Sequence, residues 1–253
     1  MARHIEAWMD GVALSTVGPY IIREVREDAP SLEISAGERL GRYGQRMLGR
    51  KRQSLKVTVE VLIRELYDLS RRSRAAEELA RWASGSVLQL SNHPDRRLLV
   101  HLTAEPALGE VRDYNSVLRL EFTADEVPYW EDTQTTGLSL SGLSGSGSLT
   151  VPGTAETPIC LTVTPSDELT EFSVTAGGRT IALSGFSIAQ GGTLTISRDL
   201  IDGLAVRSGN VSLLRYRSAE SADDLMVQPG PCAVSFLADV SCDVAVTVRG
   251  RWM

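Results

Sequence analysis

Short runs in which apolar and polar residues alternate are the feature that most constrains this chain. Residues 55–61 read LKVTVEV, and residues 244–250 read VAVTVRG. Alternation with a period of two gives a strand one buried side and one solvent-facing side. Residues 70–85 instead place apolar side chains at helical spacing, and Gly85 is a natural stop because glycine adopts the left-handed cap at little cost. The sequence therefore predicts a mainly β protein with one helix.

The chain divides by composition into two regions. Residues 1–132 are charged and arginine-rich, and their order of strands, one helix and strands predicts a small α+β domain around a mostly antiparallel sheet. Residues 151–253 are rich in Gly, Ser, Thr and Val, and their short strand candidates predict a β-sandwich, with the last strand at an edge of its core. The candidates are residues 172–176, 180–183, 194–198, 211–215, 233–238 and 244–250.

Between the two regions, residues 133–150 form a tract in which 13 of 18 residues are Ser, Thr or Gly. Such a composition resists compact packing and favours a flexible linker. The alternative is a surface hairpin in which Leu138, Leu140 and Leu149 point inward.

A second unusual segment, residues 39–52, reads RLGRYGQRMLGRKR. Glycines in and beside it, such as Gly41 and Gly49, argue against a stable helix. It is either an arm that contacts an acidic partner surface or a passing nucleic acid, or a solvated loop with glycine hinges. Its basic residues are Arg39, Arg42, Arg46, Arg50, Lys51 and Arg52.

Candidate chemistry is sparse, so we expect no enzyme, no cofactor and no metal site. The three histidines, His4, His93 and His101, do not form a ligand-spaced cluster, and His93 is expected in a turn over residues 92–95. Residues 142–148 miss the nucleophile-elbow pattern because position 146 is Ser. Adjacent carboxylates are interpreted as surface charge, at Glu77-Glu78, Glu131-Asp132 and Asp223-Asp224.

Charge, cysteine content and hydropathy indicate the partners and the cellular compartment that the sequence predicts. A net charge of −6 argues against a nucleic-acid binder, since such proteins usually present a basic surface to phosphates. Cys160, Cys232 and Cys242 are odd in number and far apart, which predicts a chain made in a reducing cytoplasm without disulfides. The sequence shows neither a signal-peptide pattern nor a run of roughly 18 apolar residues, so we expect no membrane insertion.

The order of these segments resembles a known family. The first 132 residues are similar to the N-terminal domain of siphophage distal tail (Dit) proteins. The second region resembles the galectin-like β-sandwich attached to many of them. The first likeness is carried by residues 18–21, 37–52, 55–61, 80–85, 87–102 and 118–132, and the second by residues 194–209, 227–236 and 244–252.

The resemblance implies a ring-forming belt domain over residues 1–132, a linker over residues 133–150 and a galectin-like domain over residues 151–253. It implies a non-enzymatic homohexamer in which the basic segment is an inter-subunit arm reaching onto the neighbour. A head-to-tail ring needs two complementary patches on each subunit. The acid-rich residues 121–132 are a plausible complement of the arm.

The same resemblance implies a place at the tail tip of the virion, after assembly in the host cytoplasm. The ring would join the tail tube protein to the tail-associated hub protein, and DNA and the tape-measure protein would pass through its lumen. The sandwich would dock receptor-binding proteins or host surface carbohydrate. The alternative function is a carbohydrate-binding or adhesion module, although few exposed aromatic residues are expected to serve a sugar site.

Overall fold

The structure is a computed structural model, and it describes residues 5–38, 45–63, 69–104, 116–199 and 203–253. The chain forms two compact units, Met1–Trp130 and Glu131–Met253. The division therefore falls close to residue 132, the predicted end of the first domain.

The first unit contains two α-helices and three groups of antiparallel strands within the described residues. In one group the strand order is β3-β6-β10-β9, in a second it is β2-β1-β7-β8, and β4 pairs with β5 in a third. The elements are β1 (Ala7–Met9), β2 (Val12–Ala13), α1 (Leu14–Val17), β3 (Tyr20–Asp28), β4 (Leu32–Glu38), β5 (Gln45–Arg52), β6 (Leu55–Ile63), α2 (Leu69–Ala83), β7 (Val87–Leu90), β8 (His93–Leu99), β9 (His101–Leu102) and β10 (Ser116–Ala124).

Strand β6 lies between β3 and β10 and shows the predicted alternation. Val57, Val59 and Val61 are fully buried, and β10 places Phe122 beside Val57. The predicted helix is confirmed as α2, which buries Leu79 and Trp82.

Helix α2 ends before Gly85, where a Cβ would collide with Asp10 and Met9. The four-residue helix α1 was not predicted. The turn expected over residues 92–95 is misplaced, because the chain turns at Ser91-Asn92 and β8 begins at His93.

The second unit consists almost entirely of antiparallel strands. Its elements are β11 (Trp130–Asp132, whose first residue closes the first unit), β12 (Thr136–Val151), β13 (Thr157–Pro165), β14 (Leu169–Ala176), β15 (Arg179–Ile188), β16 (Leu194–Asp199), β17 (Gly203–Ser208), β18 (Val211–Ser212), a 3₁₀ turn (Leu214–Tyr216), β19 (Met226–Val227), β20 (Gly230–Val248) and β21 (Arg251–Trp252).

A long ribbon of β12 and β20 builds the sandwich, because it runs through two halves of one nine-stranded sheet. These halves are called the two sheets of the sandwich. Residues 234–237 of β20 lie between β14 and the second half of β12. Residues 242–248 lie between β13 and the first half of β12. The ribbon bends between these halves, where the register shifts near Gly142. Buried side chains of both sheets form one core, an arrangement in which bent strands make the corner of a two-layer packing.

The predicted fold class is confirmed: the protein is mainly β, with antiparallel sheets and few helical residues. Three details of the second unit were wrong. Residues 211–215 form a two-residue strand followed by a 3₁₀ turn. The candidates 233–238 and 244–250 belong to one strand, β20, which lies inside its sheets and not at an edge. Strands β13 and β17 were not predicted.

The predicted linker over residues 133–150 is corrected by the structure, since most of it lies in β12. The physical reason is that its inward glycines make room for the opposite layer. A Cβ at Gly145 would approach the Phe236 ring to 2.7 Å, and one at Gly147 would approach Leu138 and Leu140 to 3.0 and 3.1 Å. The inward leucines of the alternative interpretation are present, because Leu149 is buried and both other leucines pack against the core.

Candidate assembly surfaces

The predicted arm is a β-hairpin formed by β4 and β5. Leu32 pairs with Arg52 at its base, and Glu38 pairs with Gln45 at the last described pair. The register shifts between Ser35 and Ala36, which marks a bulge in the ladder. Bulges bend a ribbon and increase its twist.

The arm hairpin forms a two-stranded sheet of its own. Its strand β4 is exposed on both sides, and its two large apolar side chains, Leu32 and Ile34, are 55% and 61% exposed. An isolated two-stranded hairpin is only marginally stable in water. The arm would therefore be stabilised if another surface covered Leu32 and Ile34.

The base of the arm is fixed by contacts within the first unit. The backbone N–H of Gln53 donates to the Ser31 carbonyl at 2.9 Å, and its side-chain amide donates to Glu33 at 2.9 Å. The Arg52 guanidinium carbon lies 5.0 Å from the centre of the Tyr129 ring. A cation over an aromatic face at this distance is attractive, so Arg52 anchors the arm's base.

The six predicted arm residues fall at different places. Arg46, Arg50 and Lys51 lie on β5, and Arg52 ends that strand. Arg39 and Arg42 lie outside the described residues. The placement of four of the six on one strand keeps the segment a candidate inter-subunit arm, and this role stays a prediction.

The acid-rich segment 121–132 is largely engaged within the chain. Glu121 lies 3.1 Å from the Arg119 guanidinium, and Asp125 lies 3.4 Å from the His101 ring. Asp132 accepts a hydrogen bond of 2.7 Å from the Trp252 indole. These contacts occupy carboxylate oxygens that the segment would otherwise offer to the arm of another copy.

Glu131 was interpreted as surface charge, and this was wrong. Its carboxylate is buried and lies 3.4 Å from Arg251, which is also buried. Removing one partner of a buried ion pair leaves an uncompensated charge, at a typical cost of about 3–5 kcal/mol. Arg249 donates to the carbonyls of Asp132 and Thr133, so the last residues of the chain are held against the beginning of the second unit.

Tyr20 joins β3 to helix α2 in the scaffold that carries the arm. Its hydroxyl donates to Glu78 at 2.9 Å. Burial, together with this hydrogen bond and the charge of Glu78, raises the pKa of Tyr20 to about 12. The phenol therefore stays neutral and keeps its donor at physiological pH.

On the second unit, the bend of the ribbon exposes two large apolar side chains. Leu143, in the register shift of β12, is 57% exposed, and Leu237 on β20 is 61% exposed. Asp239 lies beside them and accepts hydrogen bonds from the backbone and the hydroxyl of Thr170, at 3.0 and 2.5 Å. Desolvation opposes ionisation, but these hydrogen bonds outweigh it and lower the pKa of Asp239 below its ordinary value.

Among the described residues, the histidines are not part of a cluster of catalytic or metal-ligating side chains. His93 lies 3.1 Å from Glu27, which also accepts from the Trp130 indole, and no group of three potential metal ligands occurs there. Cys160, Cys232 and Cys242 are free thiols, and burial raises the pKa of each. None of the described helices is long and apolar enough to span a bilayer.

One solved structure is similar to this chain over nearly its whole length. The Dit protein of phage SPP1, described as a paradigm of the hub adsorption apparatus in phages infecting Gram-positive bacteria, superposes with a TM-score of 0.73 at 14% identity. The match covers 98% of this chain and 99% of the SPP1 protein. The chain has the Dit fold.

Two chains of the phage P2 baseplate in its activated conformation, with Ca and with Sr, match less closely. Both have a TM-score of 0.47, with identities of 10% and 9%. They cover 99% and 98% of this chain and 98% of their own lengths, and the Dit fold is assigned from the SPP1 protein alone. No protein-family model matches the sequence, and no curated protein matches it.

Two surfaces of this Dit fold were missed by sequence reasoning. One is the exposed pair Leu143 and Leu237, which only the bend of the ribbon brings together. The other is the outer edge of β12, which carries no charged residue. The absence of charge over residues 136–151 was visible in the sequence, but its composition was taken as a sign of a linker.

Proposed function

We propose that this protein is a structural distal tail protein of a long-tailed phage. In this proposal, its copies form a hexameric ring that joins the tail tube to the hub of the baseplate. It performs no catalysis, and the second unit is a galectin-like docking domain on the ring. The protein resides at the tail tip of the virion after assembly in the host cytoplasm.

The observation that carries the proposal is the Dit fold over the full length. A match that covers 98% of one chain and 99% of the other includes both units in the same order. A fold alone does not fix a function, because one fold can serve several. The exposed arm gives the proposal its specific physical support, since it is a projecting element with an uncovered apolar side.

A ring requires a head-to-tail interface, in which one subunit presents two different surfaces. The arm supplies one of them, with Leu32 and Ile34 exposed beside the basic strand β5. Each contact would need to bury about 800 Å² per partner to reach the size of a standard stable interface. Charges at its rim would then set register and speed of association more than affinity.

The acidic balance of the chain suits a passage for DNA. With a net charge of −6, the protein as a whole repels a polyanion and does not hold it through counterion release. DNA and the tape-measure protein can then move through the lumen. The tail tube protein and the hub protein are the partners proposed for the two faces of the ring.

The direct test is the mass and shape of the purified full chain. We expect size exclusion with light scattering to give about six times the mass of one protomer, and negative-stain images to show a ring. Strictly monomeric particles, also in the presence of tube and hub proteins, would overturn the proposal.

The arm is tested by the double charge reversal Arg46→Glu and Arg50→Glu. Arg52 is left unchanged because it anchors the arm on Tyr129. We expect a folded monomer that no longer closes the ring. The matched control is Arg74→Glu with Arg119→Glu, two side chains that are 82% and 55% exposed outside the arm. Equal ring formation by both variants would remove the arm from the proposal.

A second candidate, carbohydrate binding, is favoured by one shallow depression on the outer side of the sandwich. It has a volume of about 380 Å³ and is lined by hydroxyl and carboxylate groups such as Ser139, Thr162 and Asp243. A glycan array should use the full chain, because a fragment beginning at residue 150 would lack nearly all of β12. Binding that is lost in Asp243→Ala would support this function, and an array without signal would reject it.

A further inference from the structure

The second unit leaves one long sheet edge open. Strand β12 is hydrogen-bonded to β20 alone, so its other edge is unpaired within the described residues, and it is the outermost strand in both sheets of the sandwich. It spans Thr136–Val151 and contains no Lys, Arg, Asp, Glu or Pro. Proteins usually protect edge strands with charge, proline or a covering segment, because an unpaired row of backbone N–H and C=O groups can accept another strand.

Parts of the other edges of the same unit are covered by short segments. Residues 218–222 run along β15, where Ser218 and Ala222 donate backbone hydrogen bonds to the carbonyls of Ala182 and Thr180. The opposite edge ends in β18, which has two residues. The contrast within one unit indicates that the β12 edge is kept free for a partner strand.

The side chains of β12 are suited to an added strand. The outward positions of residues 136–142, including Ser139 and Ser141, carry small side chains, so nothing bulky shields this half of the backbone, and the exposed Leu143 follows at the register shift. The inward leucines, Leu138 and Leu140, are only partly buried. A strand with apolar side chains at alternate positions would cover their exposed parts.

The arm has the matching properties. Its strand β4, Leu32–Glu38, has an unpaired outer edge in the structure and seven residues, the same length as residues 136–142 of β12. Leu32 and Ile34 lie two positions apart and therefore share one face of β4. Placed beside β12, they would extend the row formed by Leu138 and Leu140.

Charge favours the same pairing. Residues 133–178 and 226–248, which hold β12, β13, β14 and β20, contain no Lys, Arg or His. They contain Glu171, Asp239 and Asp243 on strands, whereas residues 32–52 contain six basic and two acidic residues. Opposite fields of this kind accelerate encounter and disfavour the pairing of two like strands.

We propose that the arm of a second copy adds through β4 to the free edge of β12, forming a continuous sheet in the order β5-β4-β12-β20. The inference rests on the proposed ring, and it names the surface that receives the arm. It replaces the acid-rich segment 121–132 in that role, since Glu121, Asp125, Glu131 and Asp132 all have partners within the chain. Main-chain hydrogen bonds would supply affinity, and the alternating leucines would set the register.

The test is disulfide cross-linking between full-length chains. Ser35→Cys on β4 and Ser139→Cys or Ser141→Cys on β12 are exposed positions on the outward side of the proposed sheet. A Ser35→Cys chain carrying a mass tag is mixed with an untagged β12 variant, assembled and oxidised. Paired cysteines on adjacent strands reach disulfide distance, with Cα atoms about 4.4–6.8 Å apart.

The matched control replaces Ser212 on the protected edge strand β18 with Cys, and wild type reports the background of the three native cysteines. We expect mixed disulfide dimers with at least one β12 variant and background levels with Ser212→Cys. Rings that form without a mixed dimer from either β12 variant would overturn this inference and leave the ring intact. A protein that stays monomeric and unlinked would overturn both the inference and the proposed function.

Discussion

The arm of the first unit and the β12–β20 ribbon of the second are both glycine-containing pairs of antiparallel strands, yet their surroundings differ. The ribbon belongs to the sandwich, and its strand β20 lies between other strands and buries Val234, Phe236, Val244 and Val246. The arm buries none of its described β4 side chains, and no third strand pairs with it among the described residues.

The difference lies in the partner strand and not in glycine content. Each half of β20 offers β12 a row of alternating apolar residues, and Gly145 and Gly147 of β12 face that core, where a larger side chain would crowd its neighbours. In the arm, the partner strand β5 carries four basic residues, at positions 46, 50, 51 and 52. A glycine-rich strand is thus part of a core when its neighbour is apolar and an arm when its neighbour is charged.

The largest expected difference between the two regions comes from removing a buried aromatic ring of the ribbon. Phe236→Ala should destabilise the second unit by about 3–5 kcal/mol, because the lost ring leaves a cavity beside Phe172. Hydrogen exchange read peptide by peptide should show faster exchange across the sandwich and unchanged exchange in the first unit. Equal acceleration in both units would mean that they do not unfold separately.

A smaller effect is expected from adding bulk to an inward glycine of β12. Gly147→Val should be about 1–3 kcal/mol less stable than Gly137→Val, because Leu138 and Leu140 crowd a Cβ at position 147, whereas a Cβ at position 137 meets its neighbours at ordinary contact distances of 3.5 and 3.9 Å. The Gly137 variant controls for the strand preference of valine. Thermal unfolding of the pair measures the difference, and equal stability would refute the account given for the failed linker prediction.

Lowering the pH should destabilise the protein at the bend of the ribbon, because Asp239 becomes protonated. A carboxyl group whose pKa is lower when folded stabilises the protein above its unfolded pKa of about 3.9, and this contribution is lost as the pH falls through the folded value. Asp239→Asn should therefore unfold with a weaker pH dependence below about pH 4 than wild type does. Parallel acid-unfolding curves would show that the Thr170 hydrogen bonds do not matter there.

The smallest change in stability is expected in the arm. Ile34→Ser should alter the free energy of unfolding by no more than about 0.5 kcal/mol, because the side chain is exposed. If the arm is an assembly element, the same variant should nevertheless reduce ring formation in light scattering. A large loss of stability in the monomer would show that the arm packs on its own chain.

Local patterns allowed part of the fold to be predicted. The periodicity of consecutive residues was enough to predict helix α2 and strands β6, β7 and β10. Strand β12 was missed because it is ordered by β20, about 100 residues further along the chain. The burial of Glu131 was missed for the same reason, since Arg251 lies 120 positions away.

The candidate surfaces show the same limit. The position and basic charge of the arm were predicted, but its hairpin form and its exposed Leu32 and Ile34 were not. The open edge of β12 could not be predicted, because an edge is defined by which strands fail to pair with it. Such information resides in the sheet order and not in any single segment.

Glu131 pairs with Arg251, Asp132 accepts a hydrogen bond from the Trp252 indole, and Arg249 donates to the carbonyls of Asp132 and Thr133. Residues 131–133 and 249–252 of the second unit therefore lie side by side. A fluorophore or gold label attached after Met253, which is 68% exposed, would therefore mark the junction near residue 131 and not the far bend of the sandwich. If the proposed ring forms, such labels would lie on a circle in images of assembled particles, and their number would count the subunits directly.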